Sequence, residues 1–142
     1  MLRTLFAVVS GVFAMMIVIT FVELANAKFF FPPPAGIDWN DAAAVAAFAA
    51  SLPAAAMAMV LSGWLLGAFI GAAVAALIAT QHRLACALVV GGLVVAGTIQ
   101  SALSFAHPTW MTAAGVLLPL PLAYLAARLA DRLAQKGLAS TR

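Results

Sequence analysis

The sequence predicts an all-α membrane protein: a four-transmembrane-helix bundle with a short interfacial helix in the first extracytoplasmic loop. Hydrophobic residues make up 66% of the 142 positions and charged residues 8%, whereas soluble domains average roughly 25% charged residues. Four apolar stretches have about the 20 residues that a helix needs to cross a bilayer. They are continuous rather than alternating, and a helix satisfies the backbone polar groups of such a segment in lipid.

The predicted spans form one membrane domain, residues 1–142. They cover residues 5–24, 54–79, 84–106 and 110–127, and they leave an outer loop at 26–53 and a tail at 128–142. The first span also has features of a secretory signal peptide, whose cleavage would leave a chain that begins at Lys28. We expect a retained helix, because the apolar stretch is longer than the usual ~7–15 residues and Glu23 is a poor neighbour for cleavage.

The outer loop combines a proline-rich stretch, a predicted helix and several aromatic residues. Prolines at positions 32–34 favour an extended segment. We expect Asp38 to cap the short helix that follows, and Asp41 to add negative charge where the helix dipole favours it. Residues Phe29 to Phe31 and Trp39 are typical of a membrane–water interface, so we expect the loop to lie on the outer membrane surface.

The second span has small residues at every fourth position, which form a groove along one helix face. They are Gly63, Gly67, Gly71, Ala75 and Ala79. Membrane helices associate by close backbone approach through such grooves. The sequence leaves two interpretations open, packing within one protomer or an interface in a homo-oligomer, because both need the same groove.

Two prolines interrupt the fourth span. Pro119 and Pro121 lie two residues apart, so they cannot both occupy a helix start. Each removes a backbone donor, which predicts a kink or a loosened turn at this point.

Basic residues near the span ends predict the orientation, since cytoplasmic loops carry an excess of Lys and Arg. The outer side has Lys28 as its basic residue, alongside Asp38 and Asp41. The other side has Arg3, Arg83, Arg128, Arg132, Lys136 and Arg142. We therefore expect both termini in the cytoplasm. Arg128, Arg132 and Lys136 also recur every four residues, a row that suits anionic lipid headgroups and that the orientation bias alone would produce.

One polar cluster is predicted at the outer ends of the first and third spans. Its members are Glu23, Lys28, Gln100, Ser101, Ser104 and His107. Ionisable residues inside membranes are functional candidates, because their desolvation is costly. Glu23 and His107 could handle protons together, since imidazole changes its protonation near neutral pH. In the alternative interpretation Glu23 is a structural anchor held by Gln100 or a backbone group, and residues 107–110 are a simple turn.

Several functional classes are excluded or disfavoured by the sequence. The seven basic residues are scattered rather than clustered, so nucleic acid is not an expected partner. Cys86 is the single cysteine, which excludes an internal disulfide and CxxC chemistry. No Ser/His/Asp order or glycine-rich phosphate loop occurs, and one Glu with one His is a poor zinc site. We expect no enzyme activity, no catalytic residue, no metal and no cofactor.

Four short motifs carry a resemblance to a known family. They are Glu23 at the end of the first span, FPPPAGID at 31–38, Trp64-x-x-Gly67 and His107-Pro108-x-Trp110. In these motifs and in length, the chain resembles a set of small four-helix bacterial inner-membrane proteins that has no established activity. The resemblance implies an inner-membrane location and a retained first helix. The family commonly has tyrosine at the position of Phe31, so this chain lacks that hydroxyl.

The sequence therefore predicts a non-enzymatic integral membrane protein that acts through helix packing, lipid contact, or association with itself or a larger membrane complex. The alternative is a small transporter or channel that uses Glu23 as a proton- or cation-responsive group. Small multidrug exporters also have four helices and a glutamate in the first, but their loops are tighter and their glutamate lies deeper in the span.

Overall fold

The computed structural model describes residues 2–104 and 107–139, and every regular secondary-structure element in these ranges is a helix. The helices are α1 (Leu2–Ala25), α2 (Ala42–Ser51), α3 (Ala54–Ile78), α4 (Arg83–Ser104), α5 (Thr109–Leu117) and α6 (Pro119–Ala139), and a π-helical turn, Asn26–Phe30, continues α1. The described residues contain four helices that are long and apolar enough to cross a membrane, with α5 and α6 counted together. This confirms the prediction of an all-α chain with four such helices. The predicted end of the third span at 105–106 and the predicted basic residue Arg142 lie outside the described residues.

Helix α3 is at the centre of the bundle and contacts α1, α4, α5 and α6. Its buried positions are mostly glycine and alanine, which let neighbouring backbones approach closely. A cluster of buried alanines joins it to α4 and α6, formed by Ala72, Ala76, Ala87, Ala123, Ala126, Ala127 and Ala130.

The groove of small residues on α3 is occupied by α1. A Cβ atom added at Gly71 would lie 2.6 Å from the carbonyl oxygen of Gly11, and one added at Gly67 would lie 2.7 Å from a side-chain carbon of Ile19. Ala75 is fully buried in the same contact. The groove predicted from Gly63, Gly67, Gly71 and Ala75 therefore lies inside the protomer, where it is not free to receive a second copy.

Helices α5 and α6 are separated at Leu118, directly before the first proline of the predicted kink. Pro119 has no N–H to donate to the carbonyl oxygen of Gly115, four residues earlier. Thr98 of α4 donates its hydroxyl to that oxygen at 3.2 Å, from a side chain that is only 2% exposed. A neighbouring helix thus supplies the hydrogen bond that the proline removes.

The helix of the first loop, α2, is capped by Asp41. Its carboxylate accepts a hydrogen bond from the backbone N–H of Ala43 at 2.9 Å. The prediction that Asp38 caps this helix is wrong, because Asp38 accepts from the backbone N–H of Asn40 in the preceding turn. Only the residue immediately before the first helical position can reach the unpaired N–H groups of the first turn.

Two arginines bond to the last carbonyl groups around the end of α3. Arg3 donates to the Ile78 oxygen at 3.0 Å, and Arg83 donates to the Ala79 oxygen at 2.9 Å. Arg83 also forms an ion pair with Asp131 of α6 at 3.6 Å. These contacts satisfy carbonyl groups that a helix end leaves without partners, and they bring the beginnings of α1 and α4 to the same end of the bundle.

Candidate functional site

A cleft of about 260 Å³ lies between α1 and α4, with α3 at its base. It is lined by Met15, Met16, Ile19, Glu23, Trp64, Leu93, Val94, Gly97, Thr98 and Ser101. The α1 residues recur at helical spacing and share one face. Gly97 leaves the space open, because a Cβ atom added there would meet no atom within 4 Å.

The cleft has an apolar half and a polar end. Met15 and Val94 are buried in its interior, whereas Met16 (51% exposed) and Leu93 (45% exposed) lie at its mouth. Glu23 is two helical turns further along α1, which is about 12 Å from Met15 by helix rise. A small molecule with an apolar body and one polar group matches this division.

Trp64 connects the polar end of the cleft to the rest of the bundle. Its indole N–H donates to a carboxylate oxygen of Glu23 at 3.2 Å. The same indole lies beside the imidazole of His107, with ring centroids 5.9 Å apart and an angle of 58° between the planes. Trp64 thus contacts two ionisable side chains from separate parts of the chain.

The structure brings together only some members of the predicted polar cluster. Glu23 and His107 are linked through Trp64, and Ser101 lines the same cleft as Glu23. Gln100 and Ser104 bond to each other instead, with 3.5 Å between the Gln100 amide nitrogen and the Ser104 hydroxyl oxygen. Lys28 is exposed in the π-helical turn. The alternative interpretation has Glu23 held by Gln100 or a backbone group; the structure shows the indole of Trp64 as a donor to this carboxylate.

Trp64 is the residue of this site that the predicted polar cluster did not include. An indole N–H within an apolar span favours a nearby acceptor, and Glu23 is the acidic residue of the first span. The sequence therefore contained a signal that Trp64 and Glu23 could pair. It did not show how α1 and α3 are rotated relative to each other, which decides whether the two side chains meet.

The chemistry of the cleft is that of a single carboxylate. Among the described residues that line it, Glu23 is the charged one. An ionised carboxylate has about four lone-pair positions, and the Trp64 N–H uses one of them. The others can accept hydrogen bonds from an amine or a hydroxyl. Within residues 2–104 and 107–139, no group of three His, Cys, Asp or Glu side chains gathers in a way that could hold a metal ion.

The predicted basic row is on the surface of α6. Arg128, Arg132 and Lys136 are all exposed. Asp131, which lies between Arg128 and Arg132 in the sequence, pairs with Arg83 at the start of α4. The row is thus near the same end of the bundle as Arg3 and Arg83.

No protein-family model, curated protein or solved structure matches this chain. The resemblance to small four-helix bacterial inner-membrane proteins therefore stays a prediction. The functional interpretation rests on the cleft, its carboxylate and the distribution of charge.

Proposed function

We propose that this chain is a non-enzymatic integral membrane protein that holds a small amphipathic molecule of the membrane in the cleft between α1 and α4. It spans the bacterial inner membrane four times, with both termini in the cytoplasm and α2 on the outer surface. The observation that carries this proposal is a mainly apolar cleft with one carboxylate, Glu23, at its polar end.

Membrane insertion is supported by the apolar side chains that the bundle exposes. Phe6, Phe13 and Phe21 of α1 are all more than 60% exposed. Such surface would be costly in water, at about 25 cal/mol per Å² of apolar area, and lipid removes this cost. The arginines that gather around the end of α3 give this end of the bundle its positive charge, which is the arrangement expected for the cytoplasmic side.

The shape and charge of the cleft define the class of molecule. Its volume is slightly below the ~300 Å³ at which pockets for drug-sized ligands begin, so a short amphiphile or part of a lipid chain fits. The exposed mouth at Met16 and Leu93 opens towards the surrounding lipid, so the molecule enters sideways. A protonated amine or a hydroxyl group then bonds to Glu23.

Contact with lipid-like molecules is favoured over self-association, because α1 fills the glycine groove. A leucine at Gly67 would collide with Ile19 of the same protomer, so this substitution is expected to displace α1 rather than to change an oligomer. Association with a larger membrane complex would have to use the exposed faces of the bundle.

The test is photolabelling of the full-length protein in nanodiscs of zwitterionic lipid, with a photoactivatable long-chain alkylamine as the probe. Labelled peptides from α1 and α4, identified by mass spectrometry, are the expected result. Gly97→Leu narrows the cleft and should lower this labelling by about tenfold, the equivalent of ~1.4 kcal/mol. Gly92→Leu is the matched control, because a Cβ atom at Gly92 also meets open space but lies outside the cleft lining.

Labelling spread evenly over all helices, or equal labelling of the two leucine variants, would contradict the proposal. Glu23→Gln tests the polar end separately. The glutamine keeps an oxygen that can accept from the Trp64 N–H but loses the charge, so preference for the alkylamine over the matching alkyl alcohol should disappear.

A transporter that uses Glu23 is the second candidate function, favoured by the position of this carboxylate inside the cleft. Proton-coupled movement of the alkylamine into sealed vesicles would support it. Flux that persists in Glu23→Gln would eliminate a role for this residue in transport. Binding without flux would leave the cleft as a holding site.

A further inference from the structure

A second polar feature is on α6, away from the cleft. Arg128 donates a hydrogen bond from its guanidinium to the hydroxyl of Tyr124 at 2.8 Å, and its guanidinium carbon is 5.7 Å from the centroid of the same ring. Both contacts hold the arginine against the tyrosine. A side chain fixed in this way loses less conformational freedom when it binds an anion.

A second arginine shares the recess beside this pair. Arg128 and Arg132 line one shallow cavity of about 210 Å³, together with Tyr124, Leu125 and Leu129. Like charges four residues apart on a helix destabilise each other, and an anion between them removes that cost. The carboxylate of Asp131 is not this anion, since it is paired with Arg83 of α4. Within the described ranges, no ion pair involves either arginine of the recess.

The depth of the recess matches a lipid phosphate. Arg128 is eighteen positions after Trp110, which is about 27 Å of helix, and the hydrocarbon core of a bilayer is ~30 Å thick. With Trp110 at the outer interface, Arg128 reaches the inner edge of the hydrocarbon. Leu125 and Leu129 then face the acyl chains while the two guanidinium groups face the headgroup layer.

We propose that Tyr124, Arg128 and Arg132 form a binding site for the phosphate of an anionic phospholipid headgroup in the cytoplasmic leaflet. Neither arginine is in an ion pair within the described residues, because the adjacent Asp131 is paired with Arg83. Two such cations favour an anionic headgroup over a zwitterionic one, which would bring its own ammonium group. The site depends on the membrane insertion proposed above but not on the cleft, so either can fail without the other.

The experiment measures lipids retained by the full-length protein in native mass spectrometry, after equilibration in detergent with phosphatidylglycerol and phosphatidylcholine of identical chains. Wild type is expected to retain phosphatidylglycerol preferentially. Because one basic residue near a membrane surface contributes about fivefold in affinity, Arg128→Gln and Arg132→Gln should each lower retention by about that factor. Lys136→Gln, a matched change of charge that lies outside the recess, should have a clearly smaller effect.

Tyr124→Phe separates a built site from a general effect of charge. It keeps the ring and the net charge but removes the hydroxyl that holds Arg128, so retention of phosphatidylglycerol should fall. Equal losses in Arg132→Gln and Lys136→Gln, or full retention in Tyr124→Phe, would overturn the site in favour of unspecific attraction. Displacement of the lipid by millimolar inorganic phosphate would overturn the lipid as the bound species.

Discussion

The hydrogen bond from Thr98 to the Gly115 carbonyl should contribute to the stability of the fold only because Pro119 lacks an N–H. Thr98→Val removes the hydroxyl while it keeps a side chain of similar shape. The Gly115 oxygen would then have neither its helical donor nor the threonine. Both Thr98 and Gly115 are buried, so no water is positioned to take over.

The expected loss of stability follows from two known quantities, the cost of an unpaired buried acceptor and the strength of hydrogen bonds between membrane helices. A buried acceptor left without a partner costs about 1–3 kcal/mol, whereas hydrogen bonds between membrane helices average about 0.6 kcal/mol, with a maximum near ~1.7 kcal/mol. The upper part of the membrane range applies, because the proline has already removed the competing backbone donor. We expect Thr98→Val to lower the free energy of unfolding by about 1–1.5 kcal/mol.

Pro119→Ala tests the cause of this loss. The alanine restores an N–H four residues after Gly115, and this N–H can bond to the same oxygen as in an uninterrupted helix. In that background the cost of Thr98→Val should fall to a few tenths of a kcal/mol. The cycle therefore predicts a coupling of about 1 kcal/mol between two residues on different helices.

Unfolding of the full-length protein from mild detergent by titration with SDS, followed by helical circular dichroism, measures all four members of the cycle. Thr98→Ser retains a hydroxyl and is the control, with an expected loss well below that of the valine variant. The reasoning is refuted if Thr98→Val costs the same with proline or alanine at position 119.

Two further predictions use the same approach. Gly71→Ala places a Cβ atom 2.6 Å from a backbone oxygen of α1, so it should be less stable in SDS titration than Gly92→Ala by about 1–3 kcal/mol; equal stability would show that α1 does not fill the groove. Asp41→Ala removes the cap of α2 and should destabilise this helix by about 1 kcal/mol, which hydrogen exchange of α2 would detect. Asp38→Ala, by contrast, should leave that exchange unchanged, and the reverse order would reinstate Asp38 as the cap.

The positions of the long helices could be predicted, because uninterrupted apolar composition decides them, but the fourth continues as helix to Ala139, well beyond its predicted end at residue 127. Pro119 also marked the break in the fourth span correctly, since the missing donor is a property of that residue alone. The cap of α2 could not be decided in the same way. Asp38 and Asp41 are both suitable carboxylates, and the choice depends on where the first helical dihedral angles begin.

The partner of Glu23 was beyond the sequence for a different reason. Gln100 is six residues from the predicted outer end of its span, whereas Trp64 is ten residues from that of its own, so depth alone favours Gln100. The choice depends on how each helix is rotated about its axis. Glycine contacts such as that of Gly71 with Gly11 set this rotation, and they bring α3 rather than the Gln100 face of α4 against the carboxylate.

The position of α1 in the groove of α3 also has a consequence for biogenesis. The first helix leaves the ribosome well before its partner, because residues 26–53 are synthesised between them. Its mean hydropathy is the highest of the four spans, and a segment of this kind is stable in lipid without a protein neighbour. In the membrane setting proposed above, insertion and docking would therefore be separate events for α1, which would enter the bilayer first and join α3 afterwards.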